Sequence, residues 1–211
     1  MSDPAILQPT LEGQRIIVRP IRPEDFAELY SLACDPSVWE QHPAQNRHLE
    51  PEFRAFFDGA LHSGSGFSFV DKATGLLMGS SRYGNFNPDR REIEIGWTFL
   101  GKDYWGKQFN AESKTLMIGH AFTFVDKGLY WLDENNKRSQ RALKRFGARR
   151  RPNLHKRAEA HLKAGTWRMR SKINHFPDWV IYVTNLTERP QRQQAQRSIH
   201  DELHPTAWVL H

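Results

Sequence analysis

The sequence predicts a layered α/β fold of the mixed α+β kind, and three observations carry that expectation. Segments with apolar residues at helical spacing alternate with short strand-like runs through the middle of the chain. Three of those runs, GFSFVDK, LLMGSSRYGNF and EIEIGWTFL, follow one another with only turn residues between them, the pattern of an antiparallel meander. The length, 211 residues, is enough for one well-buried domain and too short for two large ones. That domain is expected to span residues 1–188, with a polar extension over 189–211.

Taken in order, RIIVRP from Arg15 to Pro20 suits a first strand. RPEDFAELYSLA then sets Pro23 early in a helix, with Phe26, Leu29, Tyr30 and Ala33 at helical spacing. EPEFRAFFDGALHSG repeats the pattern with Phe53, Phe56, Phe57, Ala60 and Leu61, and Gly64 is its stop signal. After the meander, whose turns are ATG and NPDRR, the stretch from Asn110 to Val125 places Met117, Ala121, Phe124 and Val125 on one helical face. GLYWL, Gly128 to Leu132, reads as a short buried strand, and NNKRSQRALKRFGA as a last helix ending at Gly147. WVIYVTN, Trp179 to Asn185, offers one more strand. The final stretch, RPQRQQAQRSIHDELHPTAWVLH, is polar and weakly patterned.

Thirty Lys and Arg against 24 Asp and Glu give a net charge of +6. That favours acidic partners such as phosphates without naming nucleic acid. Between Lys144 and Lys172 eleven basic residues stand against one acid, Glu159, and after Gly147 Trp167 is the lone aromatic in the run. Single-strand binders interleave aromatics to stack bases, so this segment reads as a solvated basic surface and argues against a nucleic-acid partner. Cys34 is the only cysteine, which excludes an intrachain disulfide and a cysteine-rich zinc site and fits a reducing, cytoplasmic setting. The N-terminus lacks a basic start followed by an apolar core, and no window approaches the ~18 apolar residues of a membrane helix. The oligomeric state is left open, a homodimer included.

The informative stretch is EIEIGWTFLGKDYWGKQFN. Strand alternation puts Ile93, Ile95, Trp97 and Phe99 on one face and Glu92, Glu94, Gly96 and Thr98 on the other. The loop that follows feeds a helix whose expected N-cap is Asn110. A helix start offers unpaired N–H groups and the positive end of a dipole, a site for an anion such as pyrophosphate, and Lys107 adds charge beside it. Any strand, loop and helix shares these features, and Glu112 in the first turn satisfies part of the dipole.

The element order, together with Asn-x-x-Ser at Asn136 to Ser139 and a glycine eleven residues after the Asn, resembles the GNAT superfamily of acetyl-CoA-dependent N-acetyltransferases. RIIVRPIRPEDF, DPSVWEQHP, GSSRY, EIEIGWTFL, YWGKQFNAESKTLMIGHAF and ENNKRSQRALKRFGA are similar to segments of the branch that includes ribosomal-protein N-terminal acetyltransferases, and the resemblance covers roughly residues 8–148. It implies a mostly antiparallel sheet, flanked by helices, that splays open where the strand from Glu92 to Leu100 parts from the strand near Tyr130. Acetyl-CoA would lie in that splay, its pantetheine arm on the backbone of Trp97, Thr98, Phe99 and Leu100 and on Asn136. Its pyrophosphate would sit on Lys107, Gln108, Phe109, Asn110 and Ala111. The superfamily pattern Gln/Arg-x-x-Gly-x-Gly/Ala falls on Trp105, Gln108 and Asn110, so both small residues are replaced, and Gly106 stands two positions earlier.

Acetyl transfer needs a neutral amine, and an amine of pKa about 8 to 10 is mostly protonated at pH 7, so a base must take the proton. Glu94 falls at the strand position where several family members carry a catalytic glutamate, and Glu92 shares its face. The competing reading of Glu94 is an exposed strand carboxylate paired with Arg90, Arg91 or a neighbour. Many family members protonate the departing thiolate with a tyrosine that corresponds to Leu143 here, which leaves Ser139 as the hydroxyl able to stabilise it. Asn136 and Ser139 read alternatively as a helix cap and a small packing residue. Trp39, at core-like spacing with the nearby phenylalanines, could also line the acceptor cleft. His200 and His204 lack the glutamate that a zinc-peptidase helix places after its first histidine, so no metal is expected. The acceptor is expected to be a primary amine, a protein N-terminus or a small molecule. The alternative is a non-catalytic CoA-binding or basic ribosome-associated protein.

Overall fold

A computed structural model describes residues 4–151 and 179–185 of the chain. The basic segment after Arg151, the boundary near residue 188 and the tail with His200 and His204 lie outside the described residues. Within them the elements run α1 (Pro4–Leu7), β1 (Leu11–Glu12), β2 (Ile16–Pro20), α2 (Phe26–Ala33), α3 (Glu50–His62), β3 (Gly66–Asp71), β4 (Leu77–Asn87), β5 (Glu92–Leu100), α4 (Phe109–Ala121), β6 (Lys127–Asp133), α5 (Lys137–Arg145), β7 (Arg149–Arg150) and β8 (Trp179–Asn185). The expected strands and helices are present, with short α1, β1 and β7 in addition. No helix of the described residues is long and apolar enough to cross a membrane.

The eight strands form one mixed sheet in the order β1-β2-β3-β4-β5-β6-β8-β7. Every pairing is antiparallel except β5 with β6. That parallel pair has three rungs, Glu92 with Lys127, Ile93 with Gly128 and Glu94 with Leu129, and then parts, although β5 runs on to Leu100 and β6 to Asp133. The sheet is therefore open between the C-terminal halves of β5 and β6. Both following helices, α4 and α5, begin beside that opening, each after a short connection.

Two cores lie on the two faces. One collects Ile16, Val18, Phe67, Phe69, Ile93 and Ile95 with Met117 and Ile118 of α4 and Leu143 of α5. The other collects Leu29, Trp39, Phe53 and Phe57 from around α2 and α3, with Leu77 and Phe99. Phe99 and Ile95 thus face opposite sides of one strand, contrary to the alternation expected from sequence. The cause is a bulge. Pairing passes from Gly96 with Arg82 to Phe99 with Ser80, so Trp97 and Thr98 together oppose Ser81, and Trp97 takes φ +52°. One extra residue inverts the phase of everything after it. Phe99 enters the α2–α3 core, Leu100 enters the α4 core, and Trp97 leaves the isoleucine face.

The α2–α3 layer is fastened to the sheet by Asp25. Its carboxylate receives two hydrogen bonds from Arg19 at 2.8 and 2.7 Å, one from Ser68 Oγ at 2.6 Å and one from the Arg22 amide at 2.9 Å. Burial works against ionisation here, but the bonds from Arg19, Ser68 and Arg22 and the Arg19 charge outweigh it, so the carboxyl titrates below its ordinary 3.8. A depressed carboxylate stabilises the fold above its unfolded pKa, and that contribution is lost as pH falls through the lower folded value. Asp25→Asn should cost about 3 kcal/mol at pH 7, the scale of a buried pair broken from one side. Urea denaturation should show the gap to wild type narrowing below pH 4. An equal gap at pH 3 and pH 7 would rule out the charge as its source.

Candidate active site

Glu94 occupies the last paired rung before β5 and β6 separate, and two irregularities shape its surroundings. On β4, Asn85 and Phe86 together oppose Ile93, because the register passes from Gly84 with Glu94 to Asn87 with Glu92. Asn85 takes φ +46°, a left-handed conformation that asparagine tolerates better than most residues. Its Nδ2 donates to Glu94 Oε2 at 2.5 Å. On β5, the bulge carries Trp97 onto the Glu94 side of the strand, where its ring seats on Gly84. A Cβ at Gly84 would come within 2.7 Å of the indole. The Arg82 guanidinium lies over that indole, 3.8 Å from the ring centre, and donates to Gly59 O of α3 at 2.7 Å.

These contacts leave Glu94 only 8% exposed. Burial raises its pKa, while the Asn85 hydrogen bond and the Arg82 charge pull it back, and the balance lies at about 7. The exposed, arginine-paired alternative does not hold: Glu94 bonds Asn85, and Arg91 pairs with Asp126 at 2.8 Å. A buried carboxyl poised near neutrality can take and release a proton at physiological pH. Glu92 is also buried, but lies two residues deeper on the closed side of the splay, opposite Lys127.

Past Glu94, no strand among the described residues pairs with β5 on its β6 side, so the backbone of Ile95 to Leu100 turns that edge toward the opening. The side chains do different work. Thr98 Oγ1 lies 2.7 Å from Ser81 Oγ, Phe99 and Leu100 are core residues, and Leu100 O accepts from Trp105 Nε1 at 2.9 Å. Gly106, at φ +71°, is the loop's left-handed residue. Gln108 is right-handed at φ −75° and ψ −7°, so the position where the superfamily carries glycine does not demand one here.

The helix begins at Phe109, with Gln108 rather than Asn110 at the N-cap, two residues before the expected cap, and with no side-chain cap. The first helical bond runs from Glu112 N to Gln108 O at 3.0 Å, so the amides of Phe109, Asn110 and Ala111 precede the ladder. Lys107 and Gln108 beside them are exposed. Asn110 Oδ1 accepts from Lys114 Nζ at 2.5 Å. Glu112 Oε1 is engaged by the Arg15 amide at 2.9 Å, tying α4 to the turn before β2.

Across the opening, Asn136 caps α5, its Oδ1 accepting from Ser139 N at 3.0 Å, while Ser139 is half-buried in the first helical turn and Leu143 is a core residue. Arg138 spans the two sides. Its guanidinium lies 4.0 Å from the Trp105 ring centre and donates to Val38 O at 3.1 Å, and its amide donates to Gln41 Oε1 at 3.1 Å. Trp39 is 2% exposed, with its Nε1 donating to Ala33 O at 2.8 Å. It supports the cleft wall from within the core and does not line it. Asn85, Arg82 and Arg138 were not singled out from sequence. The asparagine-glycine-rich RYGNFN run was the available signal for a bulge. No group of three or more metal-ligating side chains is gathered among the described residues.

The family described as acetyltransferase (GNAT) domain matches residues 15–149. No curated protein matches by sequence. Among solved structures, the chain is similar to a GCN5-related N-acetyltransferase from Brucella melitensis, with TM-score 0.72, 20% identity and coverage of 90% of this chain and 84% of that one. It is similar to the acetyltransferase (GNAT family) from Bacillus anthracis, with TM-score 0.65, 15% identity and coverage of 85% and 100%. It is also similar to Mycobacterium smegmatis RimJ in complex with CoA-disulfide, with TM-score 0.66, 17% identity and coverage of 92% and 95%.

A carboxyl whose pKa is raised from 4.5 to about 7 favours the fold when protonated, and that contribution is lost as pH rises through the folded value. Glu94→Gln should therefore stabilise the protein at pH 8 by up to about 3 kcal/mol, with the gain vanishing by about pH 4.5. Chemical denaturation at pH 5, 6.5 and 8 measures this. A gain that does not grow with pH would show that the carboxyl ionises without penalty.

Proposed function

The chain belongs to the GNAT acetyltransferase family and is an acyltransferase, and we propose that it moves an acetyl group from acetyl-CoA to a primary amine, on a protein N-terminus or a small molecule, by direct attack in the cytoplasm. The observation that carries this reading is the buried carboxyl of Glu94 at the last rung before the sheet opens.

The residues present fit acetyl-CoA as co-substrate. The uncapped amides of Phe109, Asn110 and Ala111, with exposed Lys107 and Gln108, suit a pyrophosphate. The open β5 edge from Trp97 to Leu100 suits the amide-bearing pantetheine arm, which can add to it as an extra strand does. Asn136 commits its Oδ1 to the α5 cap, which leaves its Nδ2 donors for the same arm. Bound there, acetyl-CoA supplies an activated acyl group.

Glu94 then takes the proton that an ammonium must lose before its nitrogen can attack the thioester carbon. Asn85 holds the carboxyl in place for this. The amine lone pair forms the new C–N bond as the C–S bond breaks, and sulfur leaves with the electron pair as a thiolate. Ser139, in the first turn of α5, is the hydroxyl assigned to meet it. Glu92, deeper on the closed side, borders the acceptor end without taking the proton.

Acetyl-CoA should raise the melting temperature and shift the amide signals of Lys107 to Ala111, since a hundredfold excess over Kd stabilises by about 2.7 kcal/mol. Silence in both at millimolar acetyl-CoA would end the reading. In wild type, kcat/KM should rise with pH through about 7, because the working form of Glu94 is ionised. Glu94→Gln should lower turnover at least ~10²-fold at neutral pH with acetyl-CoA affinity retained, and Glu92→Gln only a few-fold. Equal deficits from the two substitutions would remove Glu94 from the role of base.

A further inference from the structure

Two arginines, Arg82 and Arg47, stand over aromatic rings on the Glu94 side of the sheet, and no carboxylate hydrogen-bonds either of them among the described residues. Arg82, on β4, lies over Trp97 and gives one N–H to Gly59 O at 2.7 Å. Arg47, just before α3, lies over Phe56 at 4.6 Å and Trp39 at 5.4 Å from the ring centres. Among the described residues neither guanidinium has a carboxylate within ion-pair distance.

The surroundings of Arg47 are unusual in a specific way. His42 Nδ1 accepts the Ala44 amide at 2.9 Å, so its neutral ring must carry the proton on Nε2. Burial keeps that ring neutral by pushing its pKa down to about 3. Arg47 Nη1 lies 3.2 Å from this Nε2. Two N–H donors cannot bond each other, but an oxygen accepting from both would satisfy both. Burial and then the charge of Arg82 lower the Arg47 pKa to about 10, against a smaller opposing effect of Glu52. Arg47 therefore senses the charge of Arg82, and Arg82 senses Glu94; Phe56 under Arg47 and the Gly59 carbonyl held by Arg82 lie three residues apart on α3.

Like charges held together beside a proton-accepting carboxyl are relieved by an anion, and planar guanidinium donors match a carboxylate best. From the paired donors of Arg47 and His42, with Arg47 over Phe56 one turn of α3 before the Gly59 carbonyl that holds Arg82, we infer that the acceptor is an amine that itself carries a carboxylate, bound by Arg47 and Arg82 while its amino group faces Glu94. The inference deepens the acetyl-transfer reading and rests on it. The cationic pair also gives a reason for selectivity: a neutral or purely cationic amine leaves both arginines unmatched, and a cationic one is repelled.

The test uses matched probes that differ only in charge. They are 4-aminobutyrate and 6-aminohexanoate against their primary amides, and Ala-Asp-Ala-amide against Ala-Asn-Ala-amide. The first pairs represent a small amino acid and the last a protein N-terminus with an acidic second residue. Dissociation constants come from NMR titrations of the Trp97 indole and Arg47 Nε–H signals, with and without saturating CoA. At least one acid should bind tenfold or more tightly than its amide. Arg47→Met, which keeps the aliphatic stem over Phe56 and Trp39, should bring that ratio within twofold, and Arg47→Lys, which keeps the charge but not the planar fork, should fall between the two. A wild-type ratio near one for every pair would overturn the inference. So would an unchanged ratio in Arg47→Met with CoA affinity intact. Failure to bind CoA at all would count instead against the acetyl-transfer reading, because the probe titrations without CoA stand independently of it.

Discussion

One extra residue in β5 sets the terms for the rest of the molecule. Opposing Ser81 with both Trp97 and Thr98 inverts the strand's phase midway, so its first half packs isoleucines under α4 and its second half sends Phe99 to the aromatic layer of α2 and α3. Without the inversion, Phe99 would be taken out of a cluster in which its ring meets Trp39, Phe53 and Phe56. The same irregularity brings Trp97 over Gly84, where it forms the platform for Arg82. Pairing with β6 has ended two rungs earlier, so the bulged half of β5 is also the half whose edge is open.

The second bulge, at Asn85, makes a polar site out of what strand geometry alone would leave as a buried, ill-matched carboxylate. A glutamate as buried as Glu94 loses hydration, and one amide hydrogen bond with a nearby guanidinium restores only part of it. The balance costs stability whenever the group is ionised. Asp25 shows the contrast within the same fold: also little exposed, but given four hydrogen bonds, two of them from one bidentate arginine, it is driven toward the charged state. One carboxylate is matched and fastens layers together. The other is left under-matched where the sheet opens, and that imbalance is the property a base requires.

Much of this architecture was legible in the sequence because it rests on local periodicity. The aromatic spacing of α3, the turn residues of the meander and the glycine after α5 each specify an element without reference to distant partners. The site was legible only in outline. Glu94 could be placed on a strand, on the same face as Glu92, but whether it was exposed depended on Asn85 and Arg82, nine and twelve positions away, and on α3 beyond them. The inversion at Trp97 was hidden because EIEIGWTFL alternates without a break, and the extra residue exists only relative to Ser81 on the neighbouring strand. Asn110 has the chemistry of a cap, yet the chain enters its helix two residues sooner, with Gln108 at the cap position. Trp39 was balanced between core and cleft. Its indole N–H bonded to Ala33 O places it in the core, a contact that depends on how α2 ends.

Proton removal from the acceptor depends on the ionisation of a single side chain, Glu94. Carbon-13 labelling of glutamate, with the Glu94 carboxyl signal assigned by its loss in Glu94→Gln, allows its titration to be followed directly by NMR. The account predicts a midpoint near 7, well above the ordinary 4.5. A midpoint at or below 4.5 would contradict it, because Glu94 would then be fully ionised and too weak a base at neutral pH to take a proton from an ammonium.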